Sequence, residues 1–145
     1  MSVVLRIVSI ALYCLVGIVS YFMFYRSAFA GKLLPFQEAG SGKRWEEIEP
    51  GLQAVLLALL RLSGLGFLLV GTLLIVFPVE ALIRGNAFEA LAAPIVALFY
   101  CAALALVNYA LARSTKSPTP WKRSLYAAGA ILAGIVLEIG AGLVD

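Results

Sequence analysis

Residues 56–75 have the sequence LLALLRLSGLGFLLVGTLLI, and this stretch decides the fold. Its one charged residue is Arg61, and almost all the others are apolar or glycine. The hydrocarbon core of a bilayer requires about 20 predominantly apolar residues in an α-helix, and the apolar run that contains this stretch, 52–79, exceeds that length. The stretch therefore predicts a transmembrane helix with a guanidinium group inside or at the edge of its span.

Three other segments have the same apolar character, at residues 3–25, 88–112 and 124–144. Each is too long for a buried strand, and none alternates with the period of two that a transmembrane β-barrel requires. In lipid, helices satisfy their own backbone groups. We expect an all-α polytopic membrane protein, in which residues 1–145 form a single four-transmembrane-helix bundle. Within the second segment, Pro78 is expected to end the helix.

The first segment has a second interpretation as a signal peptide. Residues 27–31, SAFAG, contain an Ala-x-Ala-like pattern that is typical of a cleavage site. The apolar run before it is longer than the 7–15 residues of a signal peptide core, however. We therefore expect the segment to remain as the first transmembrane helix.

The composition favours a membrane protein without catalytic machinery. Of the 145 residues, 63% are hydrophobic and 13% are charged, whereas a soluble domain has roughly 25% charged residues. Histidine is absent, which excludes histidine-based haem and zinc sites, Ser-His-Asp triads and a histidine general base. Cys14 and Cys101 lie in apolar segments and are expected to pack as small hydrophobes. We expect no enzyme activity, no metal site and no cofactor.

The basic residues divide unequally between the two sides of a four-span bundle. The side with both termini and the 80–87 loop holds Arg6 and Arg84. The side with loops 26–51 and 113–123 holds eight: Arg26, Lys32, Lys43, Arg44, Arg113, Lys116, Lys122 and Arg123. The positive-inside rule then predicts cytoplasmic loops and periplasmic termini in a bacterial plasma (inner) membrane, with a eukaryotic membrane as the alternative host. Because orientation explains the basic residues, we expect no nucleic-acid partner.

Aromatic and polar residues in the spans give the candidate sites. Trp45 and Trp121 each adjoin a Lys-Arg pair and are expected to anchor the chain at the membrane interface. Glu138 shares one helix face with small residues, which places it inside the bundle or at a protein interface, unless it extends to the nearby membrane surface. Tyr13 and Asn108 are further ligand or pairing candidates. The small residues on that face are Ala127, Ala130, Gly134 and Ala141.

Arg61 has three interpretations. It snorkels to the headgroups if the span begins near Leu62, it forms a structural pair with a carbonyl, Asn108 or Glu138, or it serves a substrate or proton pathway. Its helix face, which it shares with Ala54, Ala58 and Gly64, is expected to turn toward protein. Counted from Pro50 and Pro120, Arg61 and Glu138 lie 11 and 18 residues along their helices. This difference is ~10 Å in depth, so we do not expect a direct pair.

The stretch LLALLRLSGLGFLLVGTLLI and the four-helix layout resemble small four-helix bacterial membrane proteins, in particular the DoxX-like group and its uncharacterised relatives. The resemblance implies a compact bundle that often acts as an accessory to redox or stress functions, and it carries over no catalytic residue. The small multidrug transporters also have four helices, but their acidic residue lies in the first helix, where this chain has none.

These features favour a non-catalytic subunit, or a helix-packing partner, of a membrane complex or homo-oligomer. Small-residue faces suit helix association in lipid, and the short loops leave little protein outside the membrane. The expected partners are membrane lipid and either another protein or a second copy of the chain. The alternative is a carrier or binder of a small apolar or cationic ligand, held in a pocket lined by Glu138, Tyr13 and Asn108. An intramembrane enzyme that uses Glu138 with Tyr13 or Cys101 ranks behind both.

Overall fold

The computed structural model describes residues 2–85 and 87–144, and for residues 87–89 and 144 the backbone alone. Its helices are α1 (Ser2–Ala28), α2 (Pro35–Ser41), α3 (Pro50–Arg84), α4 (Ala87–Thr115) and α5 (Trp121–Val144), with a 3₁₀ turn at Trp45–Glu47. Among the described residues, four helices are long and apolar enough to cross a membrane, namely α1, α3, α4 and α5. The predicted all-α class and the four apolar helices are confirmed.

The four long helices pack in a ring. α1 lies against α3 and α5, and α4 closes the ring by packing against both of them. Neighbouring helices run antiparallel, since the Tyr21 hydroxyl meets Thr72 while Ser27, farther along α1, meets Gly64, which comes earlier in α3. One end of the ring, the Glu138 end, therefore contains the start of α1 and the end of α5. The opposite end, the Trp end, contains Trp121.

Small residues allow α1 and α3 to approach closely. A Cβ atom added to Gly17 would lie 2.6 Å from Cγ1 of Ile75, and one added to Gly71 would lie 3.1 Å from the carbonyl oxygen of Gly17. Beside this contact, the hydroxyls of Tyr21 and Thr72 share a hydrogen bond of 3.0 Å. Close packing and interhelical hydrogen bonds are the main forces that associate helices in lipid. They fix the depth of α1 relative to α3.

The core lies on the axis of the ring, and the outside of the ring is apolar. The core residues come from all four long helices: Tyr13, Val16, Val70, Leu74, Ala97, Cys101, Ala128, Ile131 and Ile135. Large apolar side chains also cover the exterior, for example Leu15, Leu69, Phe99 and Leu132, which are each more than half exposed. Soluble monomers rarely expose continuous apolar surface on this scale. The exterior is therefore suited to contact with lipid.

α3 differs from the prediction at Pro78. The sequence predicted a helix over 52–79 that ends at this proline, but α3 continues beyond it to Arg84. In an apolar environment, a helix that ends early leaves several backbone groups without partners, whereas an internal proline removes one hydrogen bond. Gly85 ends the helix instead, with a left-handed φ of 70° and its N–H donating to the Ala81 carbonyl at 2.8 Å. The other three predicted segments lie within α1, α4 and α5.

The connection between α1 and α3 is folded against the Trp end of the bundle. The Trp45 N–H donates to Oε1 of Glu38 at 2.9 Å, and the Gln53 side chain donates to the Trp45 carbonyl at 2.8 Å. Leu33 and Ile48, which belong to this connection, are buried. These contacts join α2, the 3₁₀ turn and the first turn of α3 into one unit.

Candidate functional site

The polar residues at the Glu138 end surround a small cavity of about 40 Å³. We call it the Glu138 cavity, and it is lined by Arg6, Ile10, Tyr13, Pro78, Ala81, Leu82, Gly85, Ala90 and Glu138. All four long helices contribute to the lining. A site for one water needs on the order of 10–15 Å³, and pockets for organic ligands begin near roughly 300 Å³. The cavity therefore matches a few water molecules in size.

Tyr13 and Glu138 come together because α5 has a glycine at the right place. The Tyr13 ring is fully buried and packs on Gly134, where an added Cβ would lie 2.5 Å from Cε1 of the ring. Gly134 and Glu138 are four residues apart and so lie on the same face of α5, one turn from each other. The contact that admits the tyrosine ring thus aligns the carboxylate with the same cavity.

Arg6 of α1 forms an ion pair with Glu138 of α5. Its Nε atom lies 3.8 Å from Oε1 of the carboxylate, and the two side chains are 34% and 13% exposed. A carboxylate that is mostly removed from water requires a cation or several hydrogen bonds to remain charged. The Coulomb attraction is also stronger here than in bulk water because the surroundings are less polarisable. The pair ties the start of α1 to the end of α5.

Two buried hydroxyls extend the polar cluster inward from the ion pair. Ser9 and Tyr13 are both 0% exposed and lie one turn apart on α1. Neither Ser9 Oγ nor Tyr13 Oη has a hydrogen-bond partner of good geometry among residues 2–85 and 87–144, although the two hydroxyls are neighbours. A buried polar group without a partner costs about 1–3 kcal/mol. The site therefore combines a carboxylate, a guanidinium and two hydroxyls around a space of water size.

The structure places Arg61 away from this cluster. The side chain is exposed, and it forms no ion pair within the described part of the chain. The buried line of α3 runs through Leu60 and Gly64, and Arg61 lies about 100° around the helix from Leu60. Within this chain, the expectation that Arg61 turns toward protein is wrong, because Ala54 and Ala58 face outward with it and only Gly64 of the predicted face is buried.

The position of Arg61 along α3 favours snorkelling. Between Arg61 and Glu80 lie 18 residues without a charge. This run is ~27 Å long, close to the ~30 Å thickness of a hydrocarbon core. Arg61 and Glu80 therefore bracket one bilayer span. As expected, the structure does not pair Arg61 with Glu138, which contacts Arg6 from the opposite end of the bundle.

Asn108 is a local structural residue near the Trp end. Its side-chain amide donates to the Leu104 carbonyl of its own helix at 2.9 Å. Its backbone carbonyl accepts a hydrogen bond of 2.7 Å from the Thr119 hydroxyl, in the turn before α5. Asn108 thus fastens the α4–α5 connection and does not line the Glu138 cavity.

Both tryptophans are at the end of the bundle that carries the basic loops. Trp45 begins the 3₁₀ turn, and Trp121 begins α5. The Trp121 ring packs edge-to-face on Tyr109, with 5.4 Å between centroids, and Nζ of Lys122 lies 5.8 Å from the Trp121 centroid. Indole rings beside cationic side chains suit the headgroup level of a membrane. Their role as interfacial anchors stays a prediction.

Arg6 is the site residue that sequence reasoning missed. A signal for it was present, because up-down topology brings the start of the first span beside the end of the last one. Within these two spans, Arg6 and Glu138 are opposite charges on the same side of the membrane. The sequence does not show how each helix is rotated about its axis, and this rotation brings the two side chains together.

Comparison with known proteins adds no assignment. No protein-family model matches the chain, and no curated protein or solved structure matches it either. The resemblance to the DoxX-like group therefore stays a prediction.

Proposed function

We propose that this integral membrane protein is a non-catalytic, helix-packing subunit that associates with a second copy of itself through the outer face of α5. The proposal rests on Gly129 and Ala133, which are exposed and lie four residues apart on that face. A Cβ atom added to Gly129 would meet no atom within 4 Å. In a transmembrane helix, small residues at this spacing allow a second helix to approach closely.

The other glycines in the middle of the spans are already occupied by neighbours in the ring. Gly17 and Gly71 face each other, Gly66 lies against Tyr100, and Gly134 lies against Tyr13. Gly129 is different because its open side faces away from the ring. A helix face of small residues makes few contacts with lipid tails, but it allows another helix to approach and pack closely.

A second copy is the partner that this face fits best. All copies enter the membrane with one orientation, so two α5 helices meet in parallel about an axis along the membrane normal. In such an isologous contact, Gly129 and Ala133 of one protomer face the same residues of its partner. Small residues on both sides shorten the helix–helix distance, which a large side chain on either helix would prevent.

The cavity volume favours packing over the carrier alternative. About 40 Å³ is far below the volume that an organic ligand needs, on the order of 300 Å³. Glu138 and Tyr13 line this cavity, but Asn108, the third residue of the expected ligand pocket, does not. A small apolar or cationic ligand would need a wider opening between the helices.

The proposed location is a bacterial inner membrane with both termini in the periplasm. Two basic residues belong to the Glu138 end, and each is in an ion pair: Arg6 with Glu138, and Arg84 with Glu80 at 2.6 Å. The eight basic residues assigned to the other side are all exposed, and none has an ion pair in the described residues. The unpaired positive charges that would keep loops on the cytoplasmic side are thus concentrated at the Trp end.

The proposal is tested by the change Gly129→Ile, with Ala103→Ile as a matched control. Ala103 is also a small exposed residue in the middle of a span, on the outer face of α4. Fluorescence energy transfer between labelled copies in liposomes measures association as lipid dilutes the protein. We expect Gly129→Ile to weaken association by about tenfold or more, equivalent to ~1.4 kcal/mol, while the control associates as the original chain does.

Two results would contradict the proposal. One is an original chain that shows no energy transfer at any ratio of protein to lipid. The other is an equal loss of association in both variants, because that would mean that bulk on any outer face disturbs the bundle. Circular dichroism of each variant confirms that its helices are intact.

A further inference from the structure

We infer that the Glu138 cavity binds a small cluster of water molecules, which link the Glu138 carboxylate to buried hydroxyls and to backbone carbonyls that two prolines leave without a donor. The site is separate from the outer face of α5 and does not depend on the proposed association. Its ligand is a small neutral molecule that both donates and accepts hydrogen bonds.

Two buried hydroxyls lie at or beside the cavity. Tyr13 lines the cavity, and Ser9 lies one turn from it on the same side of α1. Both residues are 0% exposed, and apart from each other neither hydroxyl has a hydrogen-bonding neighbour among the residues that the structure describes; even between the two, the geometry is poor. Buried polar side-chain atoms in folded proteins are nearly always bonded to protein or to ordered water. Water in the adjacent cavity gives the Tyr13 hydroxyl such a partner and reaches toward Ser9.

Two prolines inside helices free backbone carbonyls near the cavity. Pro78 in α3 and Pro94 in α4 are both fully buried. Because proline has no N–H, the carbonyls of Leu74 and Ala90, four residues earlier, lose their normal helical donor. Pro78 and Ala90 both line the Glu138 cavity. Ala90 thus contributes to the cavity directly, while the Leu74 carbonyl lies one turn before Pro78, which lines it. In an apolar environment such carbonyls require a donor.

The size and charge of the cavity identify its ligand. A volume of about 40 Å³ admits a few waters and excludes an organic molecule. The carboxylate of Glu138 repels an anion, and the guanidinium of Arg6 offsets the attraction that the carboxylate would have for a cation. A water needs two to four polar partners. The carboxylate, the freed carbonyls and the Tyr13 hydroxyl provide them.

The site also has access to the aqueous phase. Arg6 is 34% exposed and Glu138 is 13% exposed, so the cavity lies just beneath the end of the bundle. Water from this end of the bundle therefore has a short path to the Glu138 carboxylate.

Infrared spectroscopy of the full chain in lipid nanodiscs tests the inference. The O–H stretching bands of internal water are recognised by their shift when H₂¹⁶O is replaced by H₂¹⁸O. Ala81→Val adds volume to the lining of the cavity, while Ala97→Val adds the same volume to a buried core position outside it. We expect the bands in the original chain and in Ala97→Val, and their loss in Ala81→Val. Absence of the bands from the original chain, or their survival in Ala81→Val, overturns the inference.

A second measurement does not depend on whether the Ala81→Val and Ala97→Val variants fold. Tyr13→Phe keeps the ring against Gly134 and removes only the hydroxyl. The change is compared in a Ser9→Ala background, which removes the neighbouring hydroxyl. If water binds the Tyr13 hydroxyl, its removal then lowers the unfolding midpoint. If the site is dry, removal of an unsatisfied hydroxyl raises the midpoint or leaves it unchanged, and the inference fails. The matched control is Tyr126→Phe on the exposed face of α5, for which no shift is expected.

Discussion

Glu138 and Arg61 are both charges in apolar helices, and each is stabilised in a different way. Glu138 has a cation within 4 Å and shares a cavity with the Tyr13 hydroxyl, so it remains mostly buried. Arg61 has no such neighbour within residues 2–85 and 87–144, and it lies on the outer face at the edge of an uncharged run. At the scale of single residues, the depth of a charged residue in the span, and its position around the helix, decide whether it forms a buried ion pair or extends toward the membrane surface. The sequence indicates depth well and rotation poorly.

The Arg6–Glu138 pair gives the first test at this scale. Arg6→Met should destabilise the fold by about 2 kcal/mol, a value between those of exposed and buried ion pairs, since it takes a cation from a mostly buried carboxylate. Glu138→Gln should cost less, because it removes the buried charge and retains the shape of the side chain. The measurement is unfolding in mixed detergent micelles, followed by circular dichroism.

The double variant then separates the pair from its surroundings. If the two side chains interact, Arg6→Met combined with Glu138→Gln costs less than the sum of the single changes. Strictly additive costs would mean that the 3.8 Å approach contributes nothing to stability.

At the scale of elements, the close contact between α1 and α5 depends on one glycine. Gly134 admits the Tyr13 ring, while Gly140 on the same helix has open space where a side chain would begin. Both are in the middle or last turns of α5, and neither has a left-handed φ. They therefore differ in their neighbours and not in their backbone conformation.

This difference predicts opposite effects of alanine at the two positions. Gly134→Ala would place Cβ 2.5 Å from the ring of Tyr13, so the ring or the helix must shift, at a cost of about 1–3 kcal/mol. Gly140→Ala should be neutral or stabilising, by up to about 1 kcal/mol, because alanine favours the helix. Thermal unfolding in detergent compares the two variants with the original chain. Equal shifts for both would show that the α1–α5 contact is looser than the structure indicates.

The elements themselves were largely predictable, and Pro78 shows where prediction failed. Length and hydropathy placed the four spans because a bilayer requires about 20 apolar residues whatever their order. Whether a proline ends a helix depends on what surrounds it, and the sequence does not show that Pro78 would be buried. The role of Arg6 could not be predicted for a similar reason, since its partner Glu138 lies in the last helix. Glu138 and Tyr13 were singled out because polar residues are few in these spans.

At the scale of the whole molecule, the ring fixes which charges share a side of the membrane. The starts of α1 and α4 and the ends of α3 and α5 lie at the Glu138 end. If the positive-inside rule applies, this end faces the periplasm. The folded connection between α1 and α3, with its exposed lysines and arginines, then lies on the cytoplasmic side.

Reporter fusions in a bacterial host test this orientation. Alkaline phosphatase folds only outside the cytoplasm, so we expect activity when it follows the C-terminus and none when it follows Lys116. A fluorescent protein that folds in the cytoplasm should give the reverse pattern at the same two positions. Phosphatase activity after Lys116 without activity at the C-terminus would show the opposite orientation.

The length of α3 has a consequence for the membrane itself. Its 35 residues extend ~52 Å, whereas the 24 residues of α5 extend ~36 Å. The turns before Arg61 are also apolar, with Leu52, Val55 and Leu59 each about half exposed. A bilayer that covers these side chains must thicken on the α3 side, or the helix must tilt, and each ångström of mismatch costs a fraction of a kcal/mol. Because snorkelling of Arg61 sets one hydrocarbon edge ~27 Å from Glu80, we expect these three side chains to lie at headgroup level, with α3 tilted or the bilayer thickened on its side.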